Sequence, residues 1–143
     1  MKITLPAFLL ACLMLIPAKV YSEDMVVVAN SQSGINKLSR NEVINIYLGR
    51  FRQLSSGVAA QPVDLPPAHA DKARFYRLLV NKDLAEINAY WSRLIFSGRT
   101  TPPRAAKGQE ELLNFIRTTP GAIGYVDRAK IDDRVLLVYE LGN

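Results

Sequence analysis

Cysteine, histidine and tryptophan occur once each in the 143 residues, and no long apolar run follows residue 16. Cys12 sits inside an N-terminal apolar stretch, so the remainder of the chain has no thiol. That excludes disulfides, a thiolate nucleophile and a Cys-type zinc site there. A single histidine, His69, excludes the His-x-x-x-His spacing of a zinc helix. No serine has the flanking glycines of a nucleophile elbow, and no Gly-rich loop is spaced to cradle phosphates. The residues therefore give no support to an enzyme. Excess charge is also scarce: 18 Lys and Arg against 13 Asp and Glu, a formal +5. A balance so mild is no argument for nucleic acid. The expectation is a protein without metal, cofactor or nucleic-acid partner.

What is present begins with a leader. Lys2 supplies a positive start, Ile3 to Ile16 is almost wholly apolar, and Pro17 breaks the run. Val20-Tyr21-Ser22 then offers tolerated residues at a cleavage site. The run is short for the roughly 20 residues of a membrane span. Residues 1–22 are thus expected to be a cleaved signal peptide, with no stable span left afterwards and residues 23–143 exported as one domain. Cleavage also removes Lys2 and Lys19, lowering the net charge by two. Leu9-Leu10-Ala11-Cys12 is similar to a lipoprotein signal, but Leu13 to Ile16 continue the apolar core, so Cys12 is read as part of the signal.

Periodicity then alternates between strand and helix. Met25 to Val28 is a β-branched run, read as a buried strand. Ser39 and Glu42 have capping-box spacing, and Leu38 and Val43 have hydrophobic-staple spacing. Together they predict a helix that ends near Gly49. Gln61 to Pro66 reads as a brief strand near an edge or ending at the rim of a sheet, because prolines bound it. A second helix is expected over 70–80, with Phe75, Leu78 and Leu79 on one face. Asp83 and Glu86 form a second capping box, and Leu84, Ile87, Trp91 and Leu94 form the apolar stripe of a third helix, joined by Tyr90 and Ile95. Ser97 to Lys107 reads as a loop. Gly108 opens a fourth helix buried through Leu112, Phe115 and Ile116, and Glu110 and Glu111 suit its positive end. Strands follow at 122–126 and 134–139. The fold class is α/β, a mostly parallel or mixed sheet flanked by helices.

Three segments carry a resemblance. They are Leu38-Ser39-Arg40-Asn41-Glu42-Val43-Ile44-Asn45-Ile46-Tyr47-Leu48-Gly49-Arg50, Tyr90-Trp91-Ser92-Arg93-Leu94-Ile95-Phe96-Ser97-Gly98, and Pro120-Gly121-Ala122-Ile123-Gly124-Tyr125-Val126. In this order and at these distances, the chain resembles one lobe of the phosphate-type periplasmic substrate-binding proteins of ABC transporters, a type 2 periplasmic-binding-protein fold. The resemblance implies a periplasmic location and a small anion or other small solute as ligand. Members close two lobes on a ligand, and this chain is about half that size. In the larger relatives this lobe offers a strand ending in arginine and a Ser-Gly-Thr-like turn at a helix N-terminus, a suitable anion site. Here the strand reads Pro62-Val63-Asp64-Leu65 and the turn reads Ala68-His69-Ala70-Asp71. Two carboxylates stand where the pattern has an arginine and hydroxyls, so phosphate binding in the family's manner is not expected.

The candidate ligand-binding residues are Ser31, Ser33, Asp64, His69, Asp71 and Arg74. Ser31 and Ser33 follow a strand, where an α/β fold places ligands; the plainer reading is a turn that needs polar residues. His69 with Asp64 and Asp71 can hold a polar solute or simply form exposed surface. Arg99, Arg104 and Lys107 can hold an anion or form a solvated basic loop. Tyr90, Trp91 and Phe96 can form an aromatic box, but their helical spacing favours core packing. Two functions stay open: a single-lobe solute binder serving transport or sensing, and an envelope interaction module that has lost its ligand. An uncovered lobe face would then meet a protein partner or a second copy.

Overall fold

The computed structural model describes residues 24–142; the expected signal peptide, with its expected cleavage site and Cys12, lies outside the described residues. The chain runs β1 (Met25–Asn30), α1 (Arg40–Tyr47), β2 (Gln61–Asp64), α2 (Ala70–Val80), α3 (Leu84–Phe96), β3 (Arg104–Ala105), α4 (Gln109–Thr118), β4 (Ala122–Asp127), a 3-10 turn (Arg128–Lys130) and β5 (Val135–Glu140). The strands form one five-stranded mixed sheet in the order β3-β2-β4-β1-β5. β2 runs parallel to β3 and β4, whereas β1 is antiparallel to β4 and β5. Among the described residues no helix is long and apolar enough to cross a membrane.

Local chemistry fixes the helix ends. Ser39 and Glu42 bond reciprocally at the start of α1, and Asp83 and Glu86 do so at α3. Each box satisfies two of the amide donors that a helix start leaves open. Arg40 donates through Nε and Nη2 to the Leu79 carbonyl at 3.1 and 2.7 Å, so the head of α1 caps the tail of α2.

Side chains alternate across a strand, and this sorts the layers. Gly124 of β4 faces α4: a Cβ there would stand 2.4 Å from Ile116 Cδ1. The next residue, Tyr125, stacks on Phe75 of α2 at 3.9 Å, with Tyr47 of α1 6.0 Å away. Helices α1 and α2 therefore cover one face and α4 the other. The sheet centre is sealed on both sides, which explains why β1 is buried along its whole length instead of alternating.

Three expectations need correction. The stretch 97–107 is not all loop, since Arg104 and Ala105 pair with Val63 and Asp64. Two exposed residues carry no periodic signal, and only the neighbouring strand defines them. Strand β2 is accordingly second from the edge. Phe96 is 96% exposed and Ile95 54%, so neither belongs to the packed stripe. At 3.6 residues per turn, Phe96 lies about 180° around α3 from Ile87.

Gly121 marks the tightest backbone approach. A Cβ there would fall 1.8 Å from the Ala59 carbonyl oxygen, while the Gly121 carbonyl accepts the Gln61 N–H at 2.8 Å. Gly121→Ala must push the 53–59 turn away from the start of β4. The expected loss is about 1–3 kcal/mol, read as a lower urea midpoint. An unchanged midpoint would show that this contact yields freely.

Candidate functional site

The end of β2 and the head of α2 carry four of the six candidate residues. Asp64 is 4% exposed, and an ionised carboxylate at that depth needs partners. It has them. Tyr76 donates its hydroxyl to Oδ2 at 2.6 Å, Tyr125 donates to Oδ1, and the Leu65 N–H donates to Oδ1 at 2.9 Å. Lys72 Nζ stands 3.7 Å from Oδ2. The Tyr125 oxygen also accepts from the Leu65 N–H at 3.1 Å. Nearby, Tyr47 donates to the carbonyls of Val63 and Ile123 at 2.9 and 3.2 Å, bridging β2 and β4.

Phe75 joins the three tyrosines in one ring cluster. It packs edge-on to Tyr47 and Tyr76 with centroids 4.7 and 5.1 Å apart. Burial, and then the neighbouring Asp64 charge, hold the Tyr47, Tyr76 and Tyr125 hydroxyls well above the ordinary phenol range. All three are therefore protonated donors at neutral pH. The carboxylate is enclosed by groups of its own chain.

The head of α2 is similarly occupied. His69 is its N-cap, with Nδ1 accepting the Asp71 N–H at 3.2 Å. Asp71 sits in the first turn, where a negative charge meets the positive end of the helix. Its Oδ2 accepts from Gln109 Nε2 at 2.8 Å, and Gln109 Oε1 accepts from Lys130. Arg74 is half-buried one turn further along the helix. Among the described residues no three His, Cys, Asp or Glu side chains are placed to hold a metal ion.

Ser31 and Ser33 lie elsewhere. Antiparallel pairing of β1 with β4 sets Ala29 against Ile123, and Ile123 pairs with Pro62 at the start of β2. The turn after β1 therefore lies at the opposite end of the sheet from Asp64. Ser33 is buried; its Oγ accepts the Ile35 N–H at 3.5 Å and its carbonyl accepts from Ser56 Oγ at 2.6 Å. The six candidates thus form two groups, not one.

Sequence reading missed the three tyrosines, Lys72, Gln109 and Lys130. One signal was available: an acid inside the apolar run of β2 is either exposed or paired, and tyrosines at helical positions are suitable partners.

A groove of about 880 Å³ opens at the other end of β2, between the ends of α1 and α3, β3 and Phe115 of α4. Trp91 and Phe51 are among its apolar walls, and Arg52, Arg99 and Arg104 are its charged residues.

No protein-family model and no curated protein matches the chain. Solved structures do. One is described as a phosphate ABC transporter substrate-binding protein with bound phosphate, from Clostridium perfringens. It has 15% identity and a TM-score of 0.64 over 80% of this chain and 44% of its own. An ABC-type phosphate transport receptor from Vibrio cholerae has 12% identity and a TM-score of 0.64, over 80% and 45%. At such identity the likeness concerns the fold. The chain has the fold of one lobe of these proteins and spans less than half the length of each.

Proposed function

We propose that this chain is an exported, periplasmic one-lobe relative of the phosphate-type substrate-binding proteins. It serves transport or sensing through protein contact and does not capture phosphate at the head of α2. One observation carries this reading: the Asp64 carboxylate fills the strand end where a solute anion would be held, and its oxygens are already bonded to Tyr76, Tyr125 and Leu65. Asp71 adds a second negative charge at the helix head. An incoming oxyanion would meet two carboxylates and find the nearby donors engaged. The chain is read as a binding or contact protein and not as an enzyme, a reading supported by the transporter substrate-binding proteins whose fold it shares.

Thermal unfolding in rising phosphate tests the reading. A ligand bound only by the folded state at a thousand times its dissociation constant stabilises by about 4 kcal/mol. The expected result is no saturable rise in Tm up to about 10 mM phosphate, beyond what matched ionic strength produces. A saturable rise would refute the proposal. The solute-binding reading keeps His69, Asp71 and Arg74 as its contacts, and the same titration with amino acids and divalent metals tests it.

A further inference from the structure

The groove at the start of β2 belongs to neither candidate group. Three features of it point to an occupant.

The first is charge. Arg52, Arg99 and Arg104 line the groove, and no acidic residue does. None of the three pairs with a carboxylate among the described residues. Two of them are held in place: Arg52 Nη2 donates to the Arg99 carbonyl at 2.9 Å, and the Arg104 guanidinium lies 4.5 Å above the Phe115 ring. Uncompensated guanidiniums of this kind suit carboxylates.

The second is exposed apolar surface. Phe51, Ile95 and Phe96 are the exposed large hydrophobics of the described chain, at 46, 54 and 96%. Of these, Phe51 and Ile95 line the groove. Apolar surface gathered in one place marks an interaction site, whereas single scattered residues do not. Trp91 beneath them is 7% exposed, and its indole N–H has no partner.

The third is the backbone beside the groove. β3 offers only Arg104 and Ala105, and Pro102 and Pro103 before it have no N–H. A segment lying there cannot add a full strand to the sheet and must be read by its side chains.

We infer that this groove docks a segment of a partner protein that carries acidic residues around an aromatic or aliphatic anchor. The apolar part covers Phe51 and Ile95, and the acids meet the three arginines. Three guanidiniums around the exposed Phe51 and Ile95 call for several acids and an apolar anchor in one ligand, which favours a polypeptide segment. The inference deepens the contact-based reading and rests on it; the phosphate titration tests that reading separately, so the two can fail independently.

The test uses residues 23–143 and a tryptophan-free library of random linear peptides displayed on phage. Selected peptides are expected to combine at least two Asp or Glu with an aromatic or aliphatic residue. Their binding is followed by emission of Trp91, the sole tryptophan. Arg99→Glu/Arg104→Glu, at two exposed positions, should weaken binding at least tenfold with an unchanged circular dichroism spectrum. No enrichment overturns the inference, as does equal binding to the double variant. Two other outcomes also overturn it by naming a different occupant. One is saturation of the Trp91 signal by micromolar phenylpropionate alone. The other is self-association in the ultracentrifuge that the double variant abolishes.

Discussion

Asp64→Ala lowers the unfolding free energy by about 3–5 kcal/mol, the cost of breaking one side of a buried charged pair. Domains of this size are stable by about 5–15 kcal/mol, so much of the total is at stake. The substitution leaves the Tyr76 and Tyr125 hydroxyls without their acceptor, and Lys72 without its counter-charge. Tyr125→Phe removes one donor to a charged group and should cost about 1.5–3 kcal/mol. Urea unfolding of the two single variants and their combination gives the coupling. Residues in one hydrogen-bonded network couple by about 0.5–3 kcal/mol. A wild-type midpoint for Asp64→Ala would show that the carboxylate is not structural, and would reopen it as a ligand contact.

The second large effect is alkaline. Tyr47, Tyr76 and Tyr125 all have hydroxyls held above their ordinary range by burial, then by Asp64. A raised value in the folded state means that the fold retains protons which the unfolded chain releases. Stability from these groups is complete below pH 10 and falls as pH rises above it. Each retained proton is worth about 1.4 kcal/mol per pH unit, so three give a slope of about 4 kcal/mol per unit. The protein should unfold cooperatively in the first few pH units above 10, with tyrosinate absorbance and loss of helix dichroism rising together. Tyr47→Phe should reduce the slope by one proton. Tyrosines that ionise one by one in an intact fold would show that the cluster is open to water.

What could be read from sequence was local. Both capping boxes lie within four residues, and the structure has both. Helix faces and strand runs repeat over short distances, so the α/β class with a mixed sheet followed from them. What could not be read depends on distant partners. The direction of β1 is set by β4 and β5, not by its own valines. Asp64 is enclosed by rings from positions 47, 76 and 125, which meet only when three elements pack. The groove likewise draws on five elements, and the exposed Phe96 passed for core because it adjoins a buried stripe.

The place of β1 in the sheet has a consequence for how the chain is made. Its first strand lies between its last two: Val26 pairs with Val126 on one side and Glu140 on the other. A ribosome releases β1 first, and its permanent neighbours only at the end. Until then Met25 to Ala29, five apolar residues without a charge, have neither of their strand partners. Contacts so distant in sequence form slowly, and short apolar strands left waiting are where chains aggregate. No truncation ending before Ala122 can complete this sheet, so β1 stays without either of its strand partners until residues 122–140 have been made.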